Sequence, residues 1–129
     1  MEKRRAAVRA QALIFGLAAP AALACELPGG PAQTIRSPTH SVVYRVAPRL
    51  GEHFAVEFAV CPAPESVSVD AWMPAHRHGM NYVPAVKELG GGRYRAEGLL
   101  FHMAGEWEFV FVLRADGATQ RLVRGQRVE

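Results

Sequence analysis

From residue 41 to residue 128 the chain sets apolar against polar residues at alternate positions, in short runs broken by turn residues. Side chains on a strand alternate between two faces, so each run reads as a strand with one buried face. In the run 53–60, Phe54, Val56, Phe58 and Val60 share a face. Val67, Val69 and Ala71 alternate with Ser66, Ser68 and Asp70, and Trp107, Phe109 and Phe111 with Glu106, Glu108 and Val110. Further strands are predicted over 41–46, 82–89, 94–101 and 120–128. Turn chemistry separates them: Pro48 and Gly51, Pro62 and Pro64, Gly90-Gly91-Gly92, Ala104-Gly105, and Asp116-Gly117, a strong two-residue hairpin signal. No stretch has the spacing of an amphipathic helix. About seven short strands with turns at roughly eight- to twelve-residue intervals point to an all-β fold, an immunoglobulin-like antiparallel β-sandwich. Trp72 is expected to be its central aromatic, and Gly105-Glu106-Trp107 resembles a corner that seats another.

The first residues bear on the compartment. Glu2-Lys3-Arg4-Arg5 and Arg9 make a basic start, 10–21 is almost wholly apolar, and Ala22-Leu23-Ala24 is a small-x-small cleavage pattern. This reads as a secretory signal peptide over residues 1–24, too short for a convincing membrane span; an uncleaved anchor is the alternative. The mature chain is therefore expected to be exported and periplasmic. Residues 25–39, rich in Gly, Pro and Ser/Thr from Pro28 onward, read as a lead-in segment, and 40–129 as one domain with a real core. Residues 1–24 hold four of the 15 Lys/Arg and one of the 12 Asp/Glu, so the remainder carries 11 of each sign. A formally neutral domain has no electrostatic footprint for nucleic acid or an anionic membrane.

Cys25 and Cys61 are the two cysteines. In an exported chain an even count reads first as a disulfide, here tying the mature N-terminus to the end of the second strand. Two readings stand beside it. Cys25 follows the cleavage pattern and could be lipidated, which would anchor the protein to a membrane, or a thiolate could serve as a metal ligand. With no Cys-x-x-Cys spacing, thioredoxin-type redox chemistry is disfavoured.

Binding chemistry is concentrated in Met73-Pro74-Ala75-His76-Arg77-His78-Gly79-Met80, joined further on by His102-Met103. Imidazole and thioether together suit copper, Met favouring Cu(I) and His serving either oxidation state. If the segment is extended, His76, His78 and Met80 project from one side. Alternating strand ends then place the turn at 48–51, the segment 73–81 and the turn at 102–105 at one pole. That gathers His76, His78, Met80, His102 and Met103 there, with Met73 ending its strand beside them and His53 close enough to be an extra ligand. Cys61 falls at the opposite pole. Each residue also has a structural alternative: Met73 and Met103 as core, His102 hydrogen-bonded in its turn, His76 and His78 on the surface. Met80 reads as exposed, His40 as surface, and Trp72 as either core or a shield for a soft metal. Three-histidine zinc fits the ligand types, but the methionines would add nothing to it.

Two longer stretches carry a resemblance. Residues 69–80, reading Val-Asp-Ala-Trp-Met-Pro-Ala-His-Arg-His-Gly-Met, and 92–107, with Phe101-His102-Met103-Ala104-Gly105-Glu106-Trp107, resemble the YtkA-like family of exported β-sandwich domains. FixH-type proteins of oxidase assembly are similar over the same stretch. The resemblance spans roughly residues 40–128 and implies a copper-linked role, with Met73, His76, His78, Met80, His102 and Met103 as the matching positions. A cuproenzyme or a respiratory oxidase assembly partner is the implied recipient. Arg77 departs from the pattern, since relatives often carry Gly between the two histidines, and it adds positive charge beside a cation site.

Catalysis is not expected. There is no glycine-framed nucleophile elbow and no His-Glu-x-x-His motif, Glu106 and Glu108 read as a solvated face, and Ser41, Ser66 and Ser68 lack a local base. The sequence thus yields an exported copper-binding domain for delivery or buffering. The rival is a non-catalytic accessory domain whose His/Met motif is structural and holds no metal.

Overall fold

The computed structural model describes residues 11–16 and 25–129. The signal-peptide reading over 1–24 lies outside the described residues apart from 11–16, which take no regular secondary structure. Among the described residues no helix is long and apolar enough to cross a membrane. Among the described residues nine strands form: β1 (Gln33–Arg36), β2 (Ser41–Arg45), β3 (His53–Cys61), β4 (Ser66–Met73), β5 (His78–Gly79), β6 (Ala85–Gly90), β7 (Arg93–Leu100), β8 (Gly105–Ala115) and β9 (Ala118–Val128). They pair antiparallel in two sheets, ordered β1-β2-β3-β7-β6 and β5-β4-β8-β9. The expected sandwich is therefore present, with seven strands where the alternation placed them and two more. β1 comes from within the lead-in segment and β5 from within the His/Met segment.

The alternation becomes the core directly. Val42 and Tyr44 of β2, Val56, Phe58 and Val60 of β3, and Trp107, Phe109, Phe111 and Leu113 of β8 all face the space between the sheets. Phe111 meets Tyr44 and Phe58 with ring centroids 5.2 and 5.4 Å apart, edge to face with Phe58. Burial pushes the Tyr44 hydroxyl pKa upward, opposed by the charge of Arg124. The Asp116-Gly117 turn closes β8 onto β9 with both residues at positive φ, as a two-residue hairpin requires.

Two readings of individual residues are corrected. Trp72 is 42% exposed, whereas Trp107 is fully buried and is the core tryptophan. Parity is the reason: Ala71 and Met73 face inward on β4, so Trp72 between them faces out, opposite Glu108. His40 is not on the surface but only 5% exposed. Its Nδ1 lies 2.9 Å from Thr39 Oγ1 and 3.2 Å from Gln120 Nε2, while Ser37 Oγ donates to Gln120 Oε1 at 2.7 Å. These bonds fasten the turn before β2 onto β9.

Register fixes the two poles. Ser41 pairs with Cys61 at one end of β3, and His53 pairs with Leu100 at the other. At the first pole Cys25 and Cys61 form a disulfide, with Cα atoms 5.5 Å apart. Both sulfurs are spent in that bond, so neither is free for acylation or a metal. At the second pole the backbone N–H of Gly51 donates to the Phe101 carbonyl at 2.9 Å, joining the 48–51 turn to the end of β7.

Candidate metal centre

The His/Met segment is a hairpin tip rather than an extended strand. Pro74 opens a 3-10 turn over Pro74–His76, its fixed φ suiting the first helical position, and Arg77 follows in the left-handed region at φ 54°, ψ 40°. The Arg77 N–H donates to the Pro74 carbonyl at 3.3 Å, closing the turn. The chain then reverses, pairing His78 with Met73 and Gly79 with Trp72. Opposed residues share a face, so His78 follows the inward side of Met73, while Trp72 and Gly79 look outward. The simple alternation expected for His76, His78 and Met80 is thus replaced by a turn, which nevertheless keeps the His76 and His78 rings 5.7 Å apart.

His102 approaches from the β7–β8 turn, its ring 5.2 Å from that of His78. His78 is therefore the imidazole that both of the others approach. Its Nδ1 lies 3.0 Å from the Gly79 carbonyl oxygen. A carbonyl only accepts, so Nδ1 carries the proton and, in neutral imidazole, the lone pair sits on Nε2. That tautomer is the one a ligating histidine adopts when its other nitrogen is held by backbone. Met80 and Met103 are half-buried at this end and pack against the core. Met80, read as exposed, is thus partly covered. Met73 is 1% exposed, a core side chain whose terminal methyl lies under Gly105. His53 packs edge to face with Tyr82, ring centroids 5.1 Å apart.

Beneath the imidazoles lies Trp107. Its ring is 5.9 Å from His78 and 5.5 Å from His102, edge to face with both. Its Nε1–H donates to the Met103 carbonyl at 3.0 Å. No local pattern announced these contacts, although the four-residue step from Met103 to Trp107 is visible in the sequence. Among the described residues no three His, Cys, Asp or Glu side chains stand close enough together to enclose a metal ion. What the pole offers is a His78–His102 imidazole pair, His76 next to it, and two thioethers at the same end. Nitrogen and soft sulfur donors of this kind fit copper better than zinc or calcium.

The charges nearby are sparse. Arg77 is exposed and forms no ion pair among the described residues; beside the β7–β8 turn Glu106 pairs with Arg127 at 3.0 Å, both side chains well exposed. Arg45, Glu57, Arg95, Glu97 and Lys87 link across the outer face of the β2-β3-β7-β6 sheet. There, hydrogen bonds from Arg95 and Lys87 hold the Glu97 carboxyl below its ordinary range.

With this geometry in place, comparison with known proteins adds one finding. Residues 60–111 match the family model described as YtkA-like, from the end of β3 to the middle of β8. The matched stretch contains His76, His78, Met80, His102, Met103 and Trp107. Neither the curated proteins nor the solved structures yield a match.

Proposed function

We propose that this YtkA-like domain binds copper at its His/Met pole and serves, once exported to the periplasm, to deliver or buffer the ion. One observation carries the reading. His78 presents Nε2 as the free nitrogen because Nδ1 is held on the Gly79 carbonyl, and the His102 ring lies 5.2 Å away at the same pole. Cu(I) would use that pair with a thioether of Met80 or Met103, and Cu(II) would use two of the imidazoles, His78 with His102 or with His76. Bound copper would supply no step of catalysis; the domain would act as a carrier, and the recipient is a cuproenzyme or a respiratory oxidase under assembly.

Titration of the chain beginning at Cys25 with Cu(I) under a reductant that spares the disulfide, and with Cu(II), tests this by competition with a chromophoric chelator. The expected result is one-to-one binding that His76→Ala/His78→Ala abolishes. Equal binding by the double variant contradicts it.

A second reading has its own observation. Met73, Met80 and Met103 all touch the core, as methionines filling the end of a sandwich do. On that reading the motif is structural in an accessory domain. Copper would then give no stabilisation, whereas a ligand at 100 times its Kd adds about 2.7 kcal/mol to a folded state that binds it.

A further inference from the structure

We propose that Trp107 is the positioning residue of this pole, holding His102 and Met103 in place for the ion; the proposal rests on the copper reading above. The three rings of His78, His102 and Trp107 form a triangle with centroid separations of 5.2, 5.5 and 5.9 Å. Its corners come from β5, from the β7–β8 turn and from β8, so Trp107 touches both chain segments that the ion must bridge. Packing alone would need only the ring. The indole N–H does something further: it donates to the Met103 carbonyl, and among the described residues this is the sole side-chain hydrogen bond to residues 102–104. A buried indole N–H has to find an acceptor, and here that acceptor lies in the peptide between the candidate ligand Met103 and Ala104. Phe101, buried immediately before His102, packs against the indole with ring centroids 4.7 Å apart and planes tilted by 36°. The turn bearing His102 and Met103 is thereby pinned at Phe101 by ring contact and at Met103 by the hydrogen bond. Its two ligating side chains lose freedom before the ion arrives, which is how groups beyond the ligands raise metal affinity.

The test separates ring from N–H. Trp107→Phe keeps an aromatic in the slot, and 3-benzothienylalanine at position 107 keeps the indole outline while replacing N–H by sulfur. Cu(I) affinity is measured by chelator competition, and the metal-free protein is followed by NMR at the Met103 methyl and the His102 ring. Both variants are expected to lose about 10- to 100-fold in affinity, the range for partners that hold a ligand. Both should also broaden or shift the Met103 and His102 resonances without copper. If wild-type protein binds no copper, the functional reading fails while the resonances still report on positioning. Unchanged affinity and unchanged resonances in the benzothienyl protein, which has no reason to misfold, overturn the proposal.

Discussion

Replacing Arg77 by glycine should stabilise the fold and tighten cation binding, and the two effects can be told apart. Arg77 sits at φ 54°, ψ 40° at the end of the 3-10 turn. A left-handed conformation costs a residue with a Cβ about 1–2 kcal/mol. Glycine removes that cost but loses about 0.5–1 kcal/mol through the greater freedom of its unfolded chain. The net gain for Arg77→Gly is about 0.5–1 kcal/mol, worth about 3–6 °C in Tm for a domain near this size. Arg77→Ala keeps a Cβ and so keeps the strain; its Tm should stay within about 2 °C of wild type. Both variants remove an exposed positive charge next in sequence to His78; for a separation on the order of 8 Å such a charge acts on an ion by about 0.5–2 kcal/mol per unit of ionic charge. Both should therefore bind Cu(I) about 2- to 30-fold more tightly at low salt, with the advantage shrinking as salt rises. Thermal and urea unfolding read the first effect and chelator competition the second. A glycine variant no more stable than the alanine variant would refute the strain argument; unchanged affinity in both would refute the electrostatic one.

Three other perturbations have expected outcomes. Gly105→Ala would set a Cβ 2.6 Å from the Met73 methyl at φ +133°, so it should cost about 2–4 kcal/mol by urea unfolding, and less than additively when Met73 is also shortened to alanine. Cys25→Ser/Cys61→Ser opens a loop of sequence separation 36 and should lower stability by about 3–4 kcal/mol, yet leave copper affinity unchanged because the disulfide lies at the far pole. Trp72→Ala should cost less than about 1 kcal/mol and Trp107→Ala about 3–5 kcal/mol, and acrylamide should quench the emission of the Trp107→Phe protein more readily than that of the Trp72→Phe protein.

The sandwich was legible because its strands are half-buried and short, which writes the buried face into the sequence as alternation. Asp116-Gly117 was legible for a different reason: a two-residue hairpin needs positive φ at both positions, and few residue pairs supply it. The size of Trp72 suggests a core residue, but the alternation that buries Ala71 and Met73 sends it outward. β1 escaped notice since its four residues, Gln33 to Arg36, show no alternation and its pairing is set by β2. His40 could not be placed locally, because Gln120, one of the partners that explain its burial, lies 80 residues away. The common pole of the His/Met groups followed from connectivity alone, and the register of β3 with β7 agrees with it. What connectivity lacked was the 3-10 turn at Pro74 and the left-handed Arg77, which orient the rings, and the indole bond to Met103.

The central claim is that His78 and His102 present a ready nitrogen pair to copper, and imidazole 15N NMR tests it most directly. The metal-free protein should show His78 with its proton on Nδ1. One equivalent of Cu(I) should then shift the Nε2 signal of His78, together with a ring nitrogen of His102, while the His78 Nδ1–H remains. A His78 tautomer protonated on Nε2, or rings whose nitrogens ignore the added ion, would contradict the account.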